Sequence, residues 1–278
     1  MRARTRPFRF SRLLVSGVVG LLIAMVFPAV GSAAPAYTVC QSGCPYSDIA
    51  SAVNAAPDGG TVTVGPGTYV TGQILISKGL TLRGAGKNST TVSGNGVDSY
   101  PAGTILIRDN TGPVTISGFT FTNPILDDPD YGDWMSISAF PATAPVTFTN
   151  NRFIGLGLTN NPGDNGIYVA PQVVTATTII ESNEFEKMFR AVLIETATAP
   201  VTVRDNVIHD LADTPGGSFT YSPESVVFLA HSGYSDTQPI VVEGNRFYGY
   251  GGLDVGVEGG YASLGQGGFT NIQITNNQ

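Results

Sequence analysis

The stretch "VTFTNNRF", residues 146–153, decides the fold because the chain repeats it in closely similar form. The other copies are "VTISGFTF" (114–121), "TIIESNEF" (178–185), "VTVRDNVI" (201–208) and "IVVEGNRF" (240–247), and "NIQITNNQ" (271–278) begins a sixth. A phrase that returns every few tens of residues is typical of a protein built from stacked structural repeats. The recurrence therefore predicts an architecture before it predicts a function.

Each copy is organised around a central position, which we call the corner. The corner residues are Phe119, Asn151, Asn183, Asn206, Asn245 and Asn277. Apolar residues lie three positions before it (Ile116, Phe148, Ile180, Val203, Val242) and two after it (Phe121, Phe153, Phe185, Ile208, Phe247). Strand residues point alternately to opposite faces, so this pattern predicts an apolar interior on both sides of a bend. Asparagine tolerates left-handed backbone geometry, and its amide can bond to the same residue in the neighbouring repeats.

A second apolar segment lies between consecutive corners. These segments are "MSISAF" (135–140), "GIYVAP" (166–171), "AVLIET" (191–196), "SVVFLA" (225–230) and "LDVGVE" (253–258). Each repeat thus has at least two strands, and strands of successive repeats can pair in parallel at ~4.8 Å. No repeat can bury its apolar face alone, so the pattern predicts a solenoid.

The beginning of the repeat region carries a resemblance to a known family. The stretch 46–86, "YSDIASAVNAAPDGGTVTVGPGTYVTGQILISKGLTLRGAG", resembles the entry of exported right-handed parallel β-helix proteins of the pectin-lyase-like superfold. The resemblance implies an all-β, right-handed parallel β-helix with a short N-terminal capping helix. The residues also favour a helix here, with Ser47 as N-cap, an apolar face including Ile49 and Val53, and a stop at Pro57–Gly59.

Three regions are expected along the chain. Residues 1–36 combine five arginines, an apolar run and small-residue cleavage candidates, which is typical of a secretory signal peptide. Residues 37–60 form an N-terminal cap that contains the helix and a local Cys40–Cys44 disulfide, as an oxidising compartment allows. Residues 61–278 form the β-helix, and because "NIQITNNQ" stops within a repeat, a longer parent protein is expected.

The amino-acid composition restricts the classes of molecule that the protein can bind. Five of the 14 basic residues lie in the leader, which leaves nine against 21 acidic residues and a formal net charge of −12. Nucleic acid is excluded as a partner because phosphate binding needs clustered Lys and Arg. No second long apolar segment follows the leader, so no membrane span is expected after its removal. We expect a monomer that is secreted or held at the cell surface.

Candidate catalytic residues follow from stacking, because equivalent positions of successive repeats form columns. Three residues after the corner, the column reads Thr122, Ile154, Glu186, His209 and Tyr248. General acid–base chemistry on a glycosidic bond or a uronate C5 proton needs such groups. We predict Lys187 or His209 as base and Arg190 as the cation that neutralises a uronate carboxylate, with Glu195 on the same groove. The alternative is that His209 is an ordinary surface residue and that pairs such as Arg152 and Glu184 are surface ion pairs.

Loops and the second strands supply candidate binding residues. The acidic segment "NPILDDPDYGDW" (123–134) makes Asp127, Asp128 and Asp130 the best candidates for calcium, which takes oxygen ligands. The alternative is that acidic loops only keep the protein soluble. Sugar faces stack on aromatic rings, and the predicted substrate-binding residues are Tyr168, Phe228 and Tyr248.

Two functions remain open at this stage. The first is an exported protein that binds or degrades polysaccharide, as a lyase on uronic-acid glycans or as a glycoside hydrolase. The second is a non-catalytic surface or glycan-binding β-helix module. The sequence does not decide whether the protein is an enzyme, because the signatures of polygalacturonases, pectin methylesterases and pectate lyases are missing and fold alone does not assign function. Convergence of Lys187, Arg190, Glu195 and His209 on one groove would favour the enzyme.

Overall fold

The structure is a computed structural model that describes a defined part of the chain. The described residues are 37–94, 103–122, 135–155, 165–171, 176–195, 198–211, 224–229, 238–249, 255–258 and 272–278. The chain divides into the units Met1–Ala34 and Pro35–Gln278, and only the second contains described residues. The predicted signal peptide therefore lies outside the part described.

Most of the described residues form three parallel sheets, of which the largest has nine strands. Sheet 1 consists, in spatial order, of β1 (Tyr37–Val39), β2 (Gly60–Val64), β5 (Leu80–Gly84), β8 (Val114–Ser117), β11 (Val146–Thr149), β14 (Thr178–Glu181), β17 (Val201–Arg204), β20 (Ile240–Glu243) and β23 (Ile272–Thr275). From β8 onward it holds the first half of each repeated phrase. Its strands are in register, with Phe148 opposite Ile116 and Ile180.

The other two sheets have seven strands each. Sheet 2 consists of β3 (Gly67–Thr71), β6 (Thr90–Gly94), β9 (Thr120–Thr122), β12 (Arg152–Ile154), β15 (Glu184–Glu186), β18 (Val207–His209) and β21 (Arg246–Tyr248). Sheet 3 consists of β4 (Ile74–Ile76), β7 (Ile105–Ile107), β10 (Met135–Ala142), β13 (Asn165–Pro171), β16 (Arg190–Glu195), β19 (Glu224–Leu229) and β22 (Val255–Glu258). The chain visits sheets 1, 2 and 3 in turn, and one such circuit is a coil. The parallel β-helix predicted from the repeat is confirmed.

Buried asparagines connect the coils at the corner between sheets 1 and 2. The side-chain oxygen of Asn183 accepts hydrogen bonds from the backbone and side-chain nitrogens of Asn151, at 3.0 and 3.2 Å. Its side-chain nitrogen donates to the carbonyl of Phe148 and to the side-chain oxygen of Asn206, at 2.9 and 3.1 Å. The same pattern continues through Asn245 to Asn277. Every corner asparagine from Asn151 to Asn245 thus bonds groups on two neighbouring coils at once, and Asn277 bonds groups on the coil of Asn245.

The left-handed residue of the bend is not the corner asparagine, contrary to the sequence-based expectation. Positive φ values belong to the residue just before it: Gly118, Asn150, Ser182, Asp205, Gly244 and Asn276. A small or short polar side chain suits this geometry, because a left-handed residue crowds its Cβ against the following carbonyl. The corner asparagine instead uses its side-chain amide to bond the neighbouring coils, and we call this row of hydrogen bonds the asparagine ladder.

Aromatic rings fill the interior beside the ladder. Phe153 stacks on Phe121 with ring centroids 5.2 Å apart and on Phe185 at 4.8 Å, and all three rings are fully buried. Ile208 continues this column and is buried, whereas Phe247 is only partly buried. The apolar positions on either side of the corner therefore form the core, as the alternating pattern predicts.

The N-terminal cap differs from its prediction in one residue. The helix α1 spans Ile49–Ala55 and buries Ile49, Ala52 and Val53. Its N-cap is Asp48 rather than Ser47, because the Asp48 carboxylate accepts a hydrogen bond from the backbone nitrogen of Ser51 at 3.0 Å. A disulfide joins Cys40 and Cys44, whose Cα atoms lie 5.6 Å apart. Among the described residues, no helix has both the length and the apolar character needed to cross a membrane.

Candidate functional site

The densest group of chemically active side chains lies on the outer face of sheet 2. The register places Glu186 opposite His209, and His209 opposite Tyr248. The predicted column is therefore a real row of neighbours on successive coils. We call Lys87, Arg152, Glu184, Glu186, Lys187, His209 and Asp210 the sheet 2 cluster.

Local backbone geometry positions two members of the cluster. Lys187 follows β15 and Asp210 follows β18, and both residues have left-handed backbone angles, with φ of 57° and 48°. This bend ends each strand and directs the chain towards sheet 3. Left-handed geometry costs a residue such as lysine about 1 kcal/mol, so glycine would be the conformationally favoured residue at position 187.

His209 lies between two carboxylates. Its Nδ1 is 2.9 Å from Oδ2 of Asp210, and its Nε2 is 3.5 Å from Oε1 of Glu184. Only 11% of the His209 side chain is exposed. A neutral imidazole that donates from Nδ1 to Asp210 directs the Nε2 lone pair towards Glu184.

Three cations hold the two glutamates of the cluster. Lys87 Nζ lies 3.1 Å from Oε2 of Glu184, and Arg152 Nε lies 3.3 Å from its Oε1. Arg152 also hydrogen-bonds Oε2 of Glu186 through Nη2, and Lys187 Nζ lies 3.4 Å from Oε1 of Glu186. The three cations and three carboxylates of the cluster balance in formal charge.

These cations control the ionisation of both glutamates. Burial acts to raise the pKa of Glu184, but the hydrogen bond and charge of Lys87 and the charge of Arg152 outweigh it and lower the pKa. For Glu186, burial is likewise outweighed by the hydrogen bond and charge of Arg152, with a contribution from Lys187. Both carboxyls are therefore ionised at neutral pH and cannot serve as proton donors there.

An accessible aromatic ring lies beside the cluster. The ring of Tyr248 stacks on the imidazole of His209, yet Tyr248 remains 45% exposed. The guanidinium carbon of Arg246 lies 5.2 Å from the centre of the same ring. This face of sheet 2 thus combines an exposed ring with exposed cations, which suits an anionic sugar.

Glu184, Glu186 and His209 could also hold a metal ion. One ligand atom from each lies within 4.8 Å of the others. Calcium takes six to eight oxygen ligands, so a set of two carboxylates and one imidazole fits a transition metal better. The calcium ligands predicted from the sequence, Asp127, Asp128 and Asp130, lie outside the described residues.

The structure separates the four predicted catalytic residues into two groups. Lys187 and His209 both contact glutamates of the sheet 2 cluster. Arg190 and Glu195 instead lie at opposite ends of β16 in sheet 3, about 17 Å apart for an extended strand. Arg190 lies over the ring of Phe189, and Glu195 accepts a hydrogen bond from the Tyr168 hydroxyl.

The predicted binding aromatics do not share one surface. Tyr168, in sheet 3, is only 1% exposed and packs in a small apolar cluster with Met135, Ala170 and Leu193. The backbone register aligns Phe228 with Ile194, whereas Tyr168 aligns with Leu193. Tyr248 is therefore the one of the three whose exposed ring the structure describes.

Sequence reasoning missed Lys87 and assigned Glu184 only to an ion pair with Arg152. That ion pair exists, but the same carboxylate also contacts His209 and Lys87. Lys87 lies 97 residues before Glu184, in an insertion between β5 and β6 that has no repeated phrase. The repeat pattern therefore contains no signal that could find it.

Comparisons with known proteins agree with this architecture. The family described as "Right handed beta helix region" matches residues 78–278. No protein with a curated description matches the sequence.

Several solved structures are similar to this chain at low sequence identity. Pectin methylesterase from carrot is 12% identical, with a TM-score of 0.47, over 88% of this chain and 84% of that one. Pectin methylesterase PemA from Erwinia chrysanthemi is 12% identical, with a TM-score of 0.37, over 78% and 90%. The A-module of mannuronan C-5 epimerase AlgE6 from Azotobacter vinelandii is 16% identical, with a TM-score of 0.21, over 83% and 94%. At these values the chemistry of this chain must be argued from its own side chains.

Proposed function

Because this chain belongs to the right-handed β-helix family, we propose that it is an exported protein that binds or degrades polysaccharide on the outer face of sheet 2. The observation that carries this proposal is the exposed Tyr248 ring, which stacks on His209 and lies against the guanidinium of Arg246. Lys187 adds an exposed cation two coils further along the same sheet. A ring offers a stacking surface for a sugar, and neighbouring cations select an acidic one. The proposed ligand class is therefore a uronic-acid polysaccharide.

The reaction that fits these groups is β-elimination. A base removes the C5 proton of the uronate, a C4–C5 double bond forms, and the C4–O glycosidic bond breaks, with the leaving oxygen taking up a proton. Lys187 and His209 are the two candidate bases, and Lys187 is the more accessible, with 53% of its side chain exposed. Arg152, whose guanidinium hydrogen-bonds Glu186 on the same face, is the cation proposed to neutralise the substrate carboxylate.

The second candidate function is a non-catalytic glycan-binding module. One observation favours it: each described carboxylate of the sheet 2 cluster already contacts a cation or His209. A surface whose charges neutralise one another needs no reaction to explain it. The Arg190 and Glu195 side chains, on sheet 3, also do not join Lys187 and His209 on one strand or sheet.

One experiment distinguishes the two functions. The purified chain is incubated with a panel of uronic-acid polysaccharides, with calcium or with chelator, while the ultraviolet absorbance of unsaturated uronates is followed. A rise that is lost in Lys187→Ala or His209→Ala establishes a lyase and identifies its base. The matched control is Arg83→Ala, which removes an exposed cation from sheet 1. Retarded migration in glycan-containing gels without any absorbance rise establishes the binding module. The absence of both an absorbance rise and retarded migration would contradict the proposal.

The calcium and chelator arms also test the predicted site at Asp127, Asp128 and Asp130. The proposal that calcium acts near these residues rests on their carboxylates alone. An activity or affinity that chelator abolishes and calcium restores would support it. Equal results in both arms would contradict it.

A further inference from the structure

We propose that Glu184, Glu186 and His209 bind a divalent transition-metal ion of the zinc class, and that Asp210 orients the histidine for it. This inference goes beyond polysaccharide association and does not depend on it. The three ligand residues come from two adjacent strands, β15 and β18, whose register places Glu186 opposite His209. Glu184 is two residues before Glu186 and lies on the same outer face of β15.

The ligand atoms lie about as far apart as donor atoms that bind the same metal ion. Oε1 of Glu184 lies 3.5 Å from Nε2 of His209. Two atoms bound at about 2.0–2.2 Å to one tetrahedral ion lie about 3.3–3.6 Å apart. The third donor, a carboxylate oxygen of Glu186, completes a set whose atoms all lie within 4.8 Å of one another. Small rotations of the partly buried Glu184 and Glu186 carboxylates would bring all three atoms onto one ion.

The second nitrogen of the histidine supplies an independent observation. Nδ1 of His209 contacts Oδ2 of Asp210 at 2.9 Å, outside the set of ligand atoms. Metal-bound histidines usually donate their other N–H to a carboxylate, which fixes the tautomer and raises the basicity of the ligand. With Nδ1–H donated to Asp210, the Nε2 lone pair faces a carboxylate oxygen, and a cation between the two would remove their repulsion.

The ion would compete with the weaker contacts of the two glutamates. Lys87 holds Oε2 of Glu184 and Arg152 holds Oε2 of Glu186 through hydrogen bonds. The Oε1 atoms have longer contacts: Arg152 Nε at 3.3 Å makes no hydrogen bond, and Lys187 Nζ lies at 3.4 Å. Lys187 is more than half exposed, so its ammonium group can move from Glu186 into solvent. The two Oε1 atoms are therefore the oxygens available to a metal.

The chemistry of the donors selects the class of ion. Imidazole nitrogen and carboxylate oxygen together suit zinc and its neighbours among the divalent transition metals. Calcium and magnesium prefer sites built from oxygen alone. We therefore expect zinc to bind at least tenfold more tightly than calcium at the sheet 2 cluster.

Titration of the chelator-treated full chain with zinc, followed by calorimetry and by thermal unfolding, tests the proposal. We expect one zinc per chain and a rise in Tm with zinc concentration. His209→Ala should lose this binding, and Asp210→Asn should weaken it about 10–100-fold because the histidine loses its orienting carboxylate. Lys187→Met should tighten it, since the competing cation is removed.

Two controls make the outcome specific. The chain has two histidines, and His231→Ala removes the one outside the described residues, so this variant should keep the binding. Glu181→Gln removes an ion-paired glutamate from sheet 1 and should also keep it. The proposal is overturned if the wild-type chain binds no zinc, if Asp210→Asn and His209→Ala bind as the wild type does, or if calcium binds this cluster as tightly as zinc. Because Asp210 is exposed, its variant answers the question even if His209→Ala fails to fold.

Discussion

The imidazole of His209 and the phenol ring of Tyr248 are stacked across two coils, with centroids 4.8 Å apart and planes inclined by 7°. One partner is buried and the other is nearly half exposed. The buried histidine thus supports an aromatic surface that faces solvent. A sugar ring that binds this part of sheet 2 would meet Tyr248 first.

Replacing Tyr248 by alanine should lower glycan affinity about tenfold, the equivalent of roughly 1.4 kcal/mol. Tyr248→Phe keeps the stacking surface and should retain most of the affinity. Affinity gels and calorimetry with an acidic polysaccharide measure the effect. Val70→Ala, which shortens an exposed aliphatic residue on β3, is the control for surface changes elsewhere on the sheet. If Tyr248→Ala and the wild type bind the glycan with equal affinity, the proposal that sheet 2 is the binding face is wrong.

Replacing Asn183 by alanine should destabilise the protein by on the order of 3 kcal/mol. The change leaves buried groups of Asn151, Phe148 and Asn206 without hydrogen bonds that they now make through this side chain. Urea unfolding followed by circular dichroism measures the loss. Asn54→Ala, at an exposed position of α1, should change the unfolding free energy by less than about 0.5 kcal/mol. Similar effects of the two substitutions would show that the ladder is not a major source of stability.

Phe153→Ala should cost about 3–5 kcal/mol, because it opens a cavity between two stacked rings of the core. Phe153→Leu keeps most of the volume and should cost less than about 1.5 kcal/mol. Both values are measured by chemical unfolding at neutral pH. A leucine variant as unstable as the alanine variant would mean that ring stacking, rather than volume, dominates this column.

The Asp48 cap should give a stability contribution that depends on pH. Hydrogen bonds from Ser51 lower the pKa of Asp48 below its ordinary value. A carboxyl whose folded-state pKa is lowered stabilises the fold above its unfolded-state pKa, and this contribution disappears as pH falls through the folded-state pKa. Asp48→Ala should therefore cost about 1 kcal/mol at pH 7. The difference from wild type should shrink below about pH 4, and a difference constant down to pH 2 would contradict the role of ionisation.

The repeated phrase made the fold predictable because one pattern specifies many equivalent contacts. The corner positions, the apolar residues beside them and the alignment of Glu186, His209 and Tyr248 follow from counting along the phrase. A stacked coil turns equal spacing in sequence into proximity in space. That is why the centre of the candidate site could be found without an alignment of relatives.

The remaining features depend on residues that do not repeat. Lys87 reaches the cluster from an insertion between β5 and β6. Nothing in the neighbouring sequence indicates that its side chain contacts Glu184. Arg190 and Glu195 are expected on one groove with His209, but the turn after β15 sends the chain to sheet 3, where both residues lie on β16. Ser47 and Asp48 are both good N-caps, and only the hydrogen bond to Ser51 decides between them.

The asparagine ladder also has a consequence for how such a protein can change in length. The hydrogen bonds between corners span 32 residues, then 23, 39 and 32, although their geometry is the same in each coil. The corner therefore tolerates chain segments of 23 to 39 residues between itself and its next copy. An in-frame duplication or deletion that begins and ends at corner asparagines would therefore place equivalent residues next to each other. The 23 residues from Asn183 to Asn206 are the shortest such segment between the hydrogen-bonded corner asparagines.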